Sequence, residues 1–523
     1  MPNYVPGKGN PNAKILIVGE APGAEEDRQC EPFVGPAGNL LNEVLRYAEI
    51  ERADCYITNV VKYRPPNNDL KKLNLIGYSV ESFLPQLDEE IRAINPNVVF
   101  ALGATALSVL TGMNGITTYR GSIYPSIRTG HKTIASIHPA AILHGDEGSS
   151  GNYKDLFLLK RDAVRVKEQS LFPEIRRPDR SIVCVNNSNQ VATWIERNKN
   201  NPPNSIIDKS RFIRRRRAVV DIETWKTFPL LFGMACNSWD AISIPLFSNQ
   251  IPPSDLAYIW YMILEFLSES DIIGQNLKYD VKRSRAVGIS FEVWFDLMQA
   301  WHTIGFAELR KDLATLCSLL TEEPYYKSEG KEYNPLKDKI EVWMRYNGKD
   351  CYTEWECYER LHEMLIETGT EDFFFDRGDG TGVSPLNAFY DRIEDIGILV
   401  DEARRKVISD AYRAKREEKE NALIELLRLL LEEDDISPYD KRNKKEGLVL
   451  INSYKMLPEL LYGKLKIPVR KDTGEDTIKS LMNNAVKHPG KKRVLELILE
   501  LRKIAKLETN YINFELSEYA TWL

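Results

Sequence analysis

Four short apolar runs, separated by helix-like stretches, constrain the fold of the first 170 residues. The runs are KILIVGE (14–20), CYITNVV (55–61), NVVFALG (97–103) and KTIASIHP (132–139). Sequence such as AGNLLNEVLRYAEI lies between them, which predicts a parallel sheet with crossover helices. Each run ends in a polar or glycine-rich turn. Because ligands of such sheets bind beside the carboxyl ends of the strands, we expect a binding site there.

Length and composition limit the remaining possibilities. A chain of 523 residues is too long for one hydrophobic core and is expected to form about three domains. Its net charge is -6, so any binding of nucleic acid would depend on local basic patches. The seven cysteines are scattered without a CxxC pair, which argues against a zinc site or a disulfide framework. Without a signal peptide or an apolar run of 18 residues, the sequence predicts a cytoplasmic protein that does not span a membrane.

The strand-like run AVVDIETW (218–225) ends in two acids, Asp221 and Glu223, separated by Ile222. Side chains alternate along a strand, so both carboxylates are expected on one face and Ile222 on the other. Two carboxylates at close range disfavour each other's ionised form. The arrangement therefore indicates a cation between them.

Two later segments extend this acidic pattern. IIGQNLKYD places Asn276 and Asp280 after an apolar run, and RYNGKDCYTEW places Tyr346 and Asp350 on one face of a helix. Four carboxylates suit a pair of divalent cations about 4 Å apart, and oxygen ligands favour magnesium or manganese. The predicted chemistry is phosphodiester hydrolysis, with Tyr346 orienting the attacking water. The alternative is a structural ion network, although four buried acids without metal are hard to sustain.

In this order, the acidic motifs resemble the 3′-5′ proofreading exonuclease domain of family A DNA polymerases, in the subtype whose third motif carries tyrosine. FDLMQAWHTI (295–304) and KDLATLCSLL (311–320) also lie where that family has helices. The resemblance implies a ribonuclease H-like domain over residues 180–370. It also implies catalytic and metal-binding roles for Asp221, Glu223, Asp280 and Asp350, a catalytic role for Tyr346, and substrate binding by Asn276.

Three segments of the first 172 residues resemble the uracil-DNA glycosylase superfamily, closest to its family 4. They are GEAPGAEEDRQCEPFVGPAGNLL (19–41), TNVVKYRPP (58–66) and HPAAIL (138–143). The resemblance implies a three-layer α/β/α domain that binds an extruded base. Phe33 would stack on that base and Asn59 would hydrogen-bond it. His138 would lie near the uracil oxygen, and Glu20 would handle the water or the sugar cation. The expected wedge residues are Ile142 and Leu143.

The sequence departs from family 4 at several positions. That family holds an iron-sulfur cluster with four cysteines, but Tyr63 stands at one cysteine position and the amino-terminal CxxC is missing, so no iron-sulfur cluster is expected. Cys30 and Glu31 replace a glycine and a basic residue, and His144 stands where arginine is common. Two interpretations stay open: a uracil-excising domain, or a DNA-binding domain that keeps the pocket without the chemistry.

Segments of the last third resemble the thumb of family A polymerases, which implies a mostly helical region over residues 380–523. These segments are RIEDIGILVDEARR (392–405), LVLINSYKMLPELLYGKLKIPVRKDTGEDT (448–477) and ELRKIAKLETNYI (500–512). Implied phosphate contacts along the duplex come from Arg470, Lys471, Arg502, Lys503 and Lys506. The alternative for each is a solvated helix face. The arginine run 214–217 is expected either to hold a single strand or to solubilise a loop.

The palm and finger motifs of the family, including DYS and HDE, do not follow Tyr511. We therefore expect the amino-terminal portion of a phage-type family A polymerase, acting in the host cytoplasm. A split gene, a truncated chain or a protein that works as a nuclease alone would each explain this ending. The expected partners are single-stranded 3′ ends, primer-template duplex and, for a split gene, a separate palm and fingers polypeptide. The alternatives are a freestanding repair protein and a non-catalytic scaffold for a palm subunit.

Overall fold

The computed structural model describes residues 2–143, 150–199, 215–306, 308–331, 334, 338–375, 382–397, 399–431, 436–443, 447–470 and 472–513. The chain forms two compact units, Met1–Asp391 and Arg392–Leu523. None of the helices in the described ranges combines the length and apolarity that crossing a bilayer requires. The domain limits at 172, 180, 370 and 380 stay predictions.

The strands, in chain order, are β1 (Lys8–Gly9), β2 (Ile15–Gly19), β3 (Cys55–Asn59), β4 (Val98–Leu102), β5 (Ile123–Pro125), β6 (Lys132–Ser136), β7 (Ser181–Cys184), β8 (Arg216–Trp225), β9 (Phe228–Ala235), β10 (Asp240–Pro245), β11 (Ser270–Gly274), β12 (Val293–Asp296), β13 (Arg442–Asn443) and β14 (Gly447–Leu448).

The α-helices, in chain order, are α1 (Ala24–Gln29), α2 (Pro36–Tyr47), α3 (Leu84–Ile94), α4 (Ala104–Thr111), α5 (Ile116–Tyr119), α6 (Pro139–Leu143), α7 (Ser150–Gln169), α8 (Ser188–Asn198), α9 (Pro253–Ser268), α10 (Lys278–Arg285), α11 (Leu297–Thr303), α12 (Leu313–Leu320), α13 (Ser328–Lys331), α14 (Ile340–Glu367), α15 (Glu371–Phe375), α16 (Val383–Ile396), α17 (Glu402–Leu431), α18 (Met456–Pro458), α19 (Glu475–Asn484) and α20 (Pro489–Leu507).

The first sheet contains the four predicted apolar runs as parallel strands, in the spatial order β1-β3-β2-β4-β6-β5. The short edge strands β1 and β5 are antiparallel to their neighbours. Ile15 and Ile17 pack with α2 and α7 on one face, while Leu16 and Val18 pack with α3 and α4 on the other. The predicted three-layer α/β/α architecture is therefore confirmed.

The second sheet is mixed, in the order β12-β11-β8-β9-β10-β7. Strand β8 pairs in parallel with β11 and antiparallel with β9. Ala218, Val220 and Ile222 pack with helices α8 and α9, whereas Val219 packs with α11, α12 and α14. Because strand side chains alternate, the odd-numbered residues of β8 face α14. The side chains of Asp221 and Glu223 therefore point toward that helix.

Helix α14 lies close against this sheet because β9 carries a glycine at the crossing. A Cβ atom on Gly233 would come within 2.5 Å of Cys351 Sγ and 2.6 Å of Asn347 Oδ1, so a larger residue would push the helix away. Both of these helix residues are buried. The close approach brings the polar groups of α14 to the carboxylates of β8.

The unit Arg392–Leu523 is mostly helical, as the sequence predicts. Its core joins α17, α19 and α20 through buried leucine and isoleucine side chains, including Leu423, Leu481 and Leu497. Gly397 follows α16 with φ +72, a left-handed conformation that favours glycine. Its backbone N–H donates to the carbonyl of Ile393 at 2.9 Å, which closes the last turn.

Candidate functional site

The carboxyl ends of the first sheet's parallel strands open into a cavity of about 370 Å³. The predicted residues Glu20, Phe33, Asn59 and His138 all line this cavity. Gly19, the last residue of β2, is needed for the close packing. A Cβ atom there would lie 2.4 Å from Asn59 Oδ1 and 2.6 Å from the ring of Phe33. The cavity therefore has an aromatic wall and a buried amide, which suit a flat polar ring.

His138 is a half-buried neutral group in this cavity. Its Nδ1 atom accepts the backbone N–H of Ala140 at 3.1 Å, so Nε2 carries the proton. Burial lowers its pKa from 6.5 to about 4. The imidazole ring stacks against Phe33 with centroids 5.6 Å apart. At neutral pH the ring can donate a hydrogen bond from Nε2 but carries no charge.

Two glutamates shape the cavity. Thr105 donates its hydroxyl to Glu20 at 2.6 Å, which fixes that carboxylate at the cavity wall. Glu26, which sequence reasoning missed, accepts the backbone N–H groups of Gly23, Val34 and Gly35 at 3.1, 3.1 and 2.8 Å. This carboxylate therefore holds the loop that carries Phe33, whose φ is +54. Its position in an acidic helical run gave no signal of that role.

The second sheet carries an acidic cluster. Carboxylate oxygens of Asp221, Glu223 and Asp350 all lie within 4.8 Å of one another. The first two come from β8 and the third from α14. Asp280, in the first turn of α10, accepts the backbone N–H of Ile222 at 3.0 Å. The structure thus brings all four predicted acids around one stretch of β8.

Tyr346 precedes Asp350 by one turn of α14, and an unpredicted lysine links the two. Lys327 Nζ lies 2.6 Å from Asp350 Oδ1 and 3.2 Å from the Tyr346 hydroxyl. The hydroxyl of Tyr326 donates to the same Asp350 oxygen at 2.5 Å. Both added residues lie in an irregular segment before α13, where no periodicity marks a functional position.

The acids crowd one another electrostatically. Burial and the charge of Asp350 raise the pKa of Asp221 from 3.8 to about 7. Burial and Asp221 raise the pKa values of Glu223 and Asp280 well above their usual range. Burial is the largest single effect and opposes the charging of Lys327, but Asp350, Tyr346 and Asp221 together outweigh it and raise the pKa of that lysine. One lysine cation therefore offsets part of the negative charge.

Two polar residues of α14 extend the cluster. Asn347 donates from Nδ2 to Asp221 Oδ2 at 2.7 Å and accepts the hydroxyl of Ser243 at 2.6 Å. Glu354, one turn after Asp350, is buried, and its Oε2 has no hydrogen-bond partner among the described residues. Burial raises the pKa of Glu354 well above its usual range. The four-residue spacing from Asp350 was the sequence signal that could have identified it.

The residues present fit magnesium or manganese. The donors are carboxylate oxygens, which hard divalent cations prefer. Burial, and after it the charge of a neighbouring acid, raises the pKa values of Asp221, Glu223 and Asp280, and Glu354 Oε2 has no hydrogen-bond partner among the described residues, so a bound cation would stabilise the ionised cluster. Asn276 lies in the exposed turn before α10 with φ +55. Its backbone carbonyl accepts the N–H of Tyr279 at 3.2 Å.

Residues 6–160 match the family model described as the uracil DNA glycosylase superfamily. A type-4 uracil-DNA glycosylase of Archaeoglobus fulgidus is 44% identical over 149 residues, covering 27% of this chain and 73% of that protein. The type-4 enzyme of Thermotoga maritima is 44% identical over 143 residues, covering 27% and 72%. The chain belongs to the uracil-DNA glycosylase superfamily. We call residues 6–160 the glycosylase domain.

Similarity to a DNA polymerase extends beyond the glycosylase domain. A DNA polymerase of Bacillus phage SP01 is 25% identical over 334 residues, which cover 58% of this chain and 33% of that protein. The chain thus spans a third of that relative's length.

Among solved structures, the POL domain of Pol1 from M. smegmatis aligns with TM-score 0.40 and 14% identity, covering 63% of this chain and 49% of that one. The Aedes aegypti Nibbler EXO domain aligns with TM-score 0.28 and 17% identity, covering 37% and 92%. Both TM-scores are too low to establish a shared fold.

In the glycosylase domain, a group of aromatic rings surrounds the position where family 4 has a cysteine ligand of its iron-sulfur cluster. Tyr63 stacks on Tyr78 with centroids 4.9 Å apart, and Tyr4 and Phe83 lie at 5.6 and 6.0 Å. A phenol ring offers no thiolate, so this position does not fit an iron-sulfur cluster.

Other departures from the family 4 pattern also have defined positions. Cys30 is exposed and caps α1 with φ 52, and Glu31 pairs with Lys8 at 2.6 Å. Of the two expected wedge residues, Ile142 is buried in the core of the glycosylase domain and Leu143 is 45% exposed. Only Leu143 is therefore free to enter a base stack. His144 lies outside the described residues.

The basic residues predicted to contact duplex differ in their surroundings. Arg470, Lys503 and Lys506 are exposed. Arg502 is half-buried and donates to the backbone carbonyls of Ile451 at 3.2 Å and Thr473 at 2.5 Å. Its guanidinium is therefore engaged in holding its own unit together. Lys471 lies outside the described residues.

The arginine run before the first acidic motif is part of the fold rather than a loop. Arg214 lies outside the described residues, but Arg216 and Arg217 begin β8. Arg215 donates to the carbonyl of Ser270 at 2.8 Å, and Arg217 donates to the Tyr358 hydroxyl at 2.5 Å. Because Arg216 and Arg217 belong to a sheet strand, the prediction of a solvated loop is wrong for these two residues.

Proposed function

We propose that this chain is a polymerase-associated DNA-processing protein whose second sheet carries a metal-dependent 3′-5′ exonuclease. The observation that carries the proposal is the convergence of Asp221, Glu223 and Asp350, with Asp280 bonded to the strand between the first two. Such an excess of buried and half-buried carboxylates is unfavourable unless divalent cations compensate it. The substrate is a single-stranded DNA 3′ end, and the role is proofreading.

Each residue of the centre has a proposed part in the reaction. Asp221, Glu223, Asp280 and Asp350 hold two magnesium or manganese ions. Bound ions of this kind acidify water and offset charge on a phosphate. The Tyr346 hydroxyl orients the attacking water, because it lies one turn from Asp350 on the same helix face. Asn347 keeps the Asp221 carboxylate in position through its 2.7 Å hydrogen bond. Asn276, at the turn before α10, contacts the substrate strand.

We further propose that the chain is the amino-terminal portion of a phage family A replicative polymerase. The similarity to the phage SP01 DNA polymerase, which covers 58% of this chain, supports this assignment. The helical unit Arg392–Leu523 then grips primer-template duplex as a thumb. The proposed phosphate contacts are Arg470, Lys471, Lys503 and Lys506, whereas Arg502 holds its own unit together through the carbonyls of Ile451 and Thr473.

The exonuclease proposal is tested with the full chain and a 5′-labelled single-stranded oligonucleotide in magnesium or manganese. Wild-type protein should shorten the strand from its 3′ end, and Asp221→Ala with Glu223→Ala should abolish shortening. Glu265→Ala with Glu292→Ala is the matched control, because both glutamates are exposed and outside the acidic cluster. Full activity in the Asp221/Glu223 variant would falsify the proposal. DNA binding without cleavage by wild type would favour the scaffold alternative.

A second candidate activity belongs to the glycosylase domain. The cavity of about 370 Å³ places Phe33, Asn59 and His138 in one lining, which supports recognition of an extruded uracil. Incubation with a uracil-containing oligonucleotide followed by alkali should reveal a cut at the uracil in wild type. Asn59→Ala should reduce the cut. If the chain alone excises uracil efficiently and needs no palm subunit, the repair-protein alternative is favoured. If the chain binds the uracil-containing oligonucleotide without excising the base, the domain is a base-binding domain without glycosylase activity.

A further inference from the structure

A second cavity, of about 920 Å³, lies between the glycosylase domain and the acidic cluster. Its lining includes Thr117, Thr118 and Lys154 from the glycosylase domain and Glu223, Lys327 and Tyr346 from the acidic cluster and its neighbours. The volume is at the upper end of the roughly 300–1,000 Å³ typical of sites that enclose a ligand. One end of the cavity is thus the proposed nuclease centre, and the opposite wall belongs to a different domain.

The two walls are fixed to each other by buried polar contacts. Arg120 of the glycosylase domain pairs with Asp162 of α7, and its Nη1 also donates to Ser318 of α12 at 3.0 Å. Both members of the pair are buried. Arg165 donates to the carbonyl of Gly121 in the first domain at 2.7 Å and to that of Ser318 at 3.0 Å. Because these groups lose water, their geometry must be kept for the contacts to be favourable.

The segment beside the catalytic acids also contacts the first domain. Tyr325 donates its backbone N–H to Ser122 at 3.1 Å and accepts the hydroxyl of Tyr124 at its carbonyl at 3.2 Å. Its ring meets Tyr119 edge-on with centroids 5.2 Å apart. Specific hydrogen bonds and a ring contact therefore join the two sides of the cavity at this wall.

Part of the lining matches a single nucleic-acid strand, although Asp155 and Asp312 also line the cavity. Lys154 is half-buried on α7, and its ammonium lies 3.3 Å from the exposed carboxylate of Glu308. Thr117 and Thr118 are exposed on α5 and offer hydroxyl groups. The rings of Tyr325 and Tyr346 supply faces on which bases can stack. A cation, hydroxyls and aromatic rings in one groove are the groups that hold phosphates and unpaired bases.

We propose that the single strand enters the nuclease centre between the two domains, with the glycosylase domain as one wall of its path. Lys154 contacts a backbone phosphate and the threonine hydroxyls contact the sugar-phosphate chain next to it. This inference rests on the proposed exonuclease function and adds a second role for the glycosylase domain. That role does not need uracil or the base-binding cavity.

The test compares Lys154→Ala with Glu308→Gln in the full chain. If Lys154 binds phosphate, its removal should raise KM for a single-stranded oligonucleotide several-fold with little change in kcat. Each phosphate contact contributes about 0.7 to the dependence of log affinity on log salt for single strands, so the salt dependence of KM should weaken by about that amount. Glu308→Gln breaks the same ion pair but keeps the cation, so KM should stay unchanged or fall.

A gain-of-function variant makes the test independent of folding losses. Thr117→Lys adds a cation to the same wall and should lower KM and steepen its salt dependence. Unchanged KM and salt dependence in both Lys154→Ala and Thr117→Lys would overturn the inference while leaving the exonuclease proposal intact. Equal rises in KM for Lys154→Ala and Glu308→Gln would also overturn it, since the ion pair rather than a phosphate contact would then matter. Absence of wild-type cleavage would instead refute the proposed function.

Discussion

Replacing Asp221 by asparagine removes one charge from the acidic cluster and nearly preserves the shape of the side chain. The folded chain raises the pKa of Asp221 from 3.8 to about 7, mainly through burial and the charge of Asp350. Between these values the folded state holds a proton that the unfolded state has lost. The free energy of unfolding therefore falls as the pH rises from about 4 to about 7, and then levels off. At 1.36 kcal/mol per pKa unit, the total is on the order of 4 kcal/mol.

Asp221→Asn should therefore be more stable than wild type when metal is removed. In a chelator at pH 8, thermal unfolding of the variant should occur on the order of 10 °C higher, at roughly 2–4 °C per kcal/mol for a domain of this size. At pH 5 the advantage should shrink to about a third, because the wild-type carboxyl is then protonated in the folded chain. Excess manganese should narrow the difference, since ligand at about 100 times its Kd stabilises wild type by about 2.7 kcal/mol, which is less than the variant's advantage of about 4 kcal/mol without metal. Nuclease activity should be lost in the variant.

The control is Glu265→Gln, which removes the same charge from an exposed position and should change stability by no more than about 0.5 kcal/mol. One result would refute the electrostatic reasoning: a variant at position 221 that is less stable than wild type in chelator at pH 8. In that case the hydrogen bond from Asn347 and the charge of Lys327 would already stabilise the ionised carboxylate.

Two further predictions concern the glycosylase domain. Folding lowers the pKa of His138 to about 4. As the pH falls below 6.5, this histidine therefore takes up a proton in the unfolded chain before it does so in the folded chain. The free energy of unfolding should decline by about 3 kcal/mol between pH 6.5 and 4. His138→Asn should lose this component of the acid sensitivity, as urea unfolding at pH 7 and pH 4.5 would show; equal sensitivity in both proteins would contradict it. Arg120→Met leaves the buried Asp162 without its partner and should cost about 3–5 kcal/mol in denaturant unfolding. Arg28→Met, which breaks an exposed pair with Glu25, should cost less than about 1 kcal/mol, and equal costs would show that burial does not set the effect.

Local periodicity explains which parts of the fold could be predicted. The four apolar runs of the first sheet are buried on both faces and read as continuous hydrophobic sequence. The two-residue spacing of Asp221 and Glu223 and the four-residue spacing of Tyr346 and Asp350 each follow from one regular element. The edge strand β1 has two residues, too few to produce a pattern.

Tertiary contacts explain what the sequence could not indicate. Lys327 reaches Asp350 from an irregular segment, so its role depends on how the chain returns to α14. The run Arg215–Arg217 has the composition of a solvated loop, but sheet pairing and the ring of Tyr358 hold it in place. Arg502 has the helical position of a phosphate contact, yet its guanidinium donates to the backbone carbonyls of Ile451 and Thr473, which are distant in sequence. Long side chains can bond residues that are far away in sequence, so residue type alone does not show whether an arginine is solvated or holds the fold together.

Three consecutive residues connect the two sites of the first unit. Tyr325 is held by the glycosylase domain through Ser122 and Tyr124, while Tyr326 and Lys327 bond the Asp350 carboxylate. Neighbouring residues cannot move independently over more than a few ångströms. The first domain therefore constrains the cation that faces the acidic cluster, whether or not its own cavity binds uracil. This coupling gives a physical reason for the two domains to share one chain: without the first domain, the segment that supplies Lys327 would lose the contacts that hold it beside the acids.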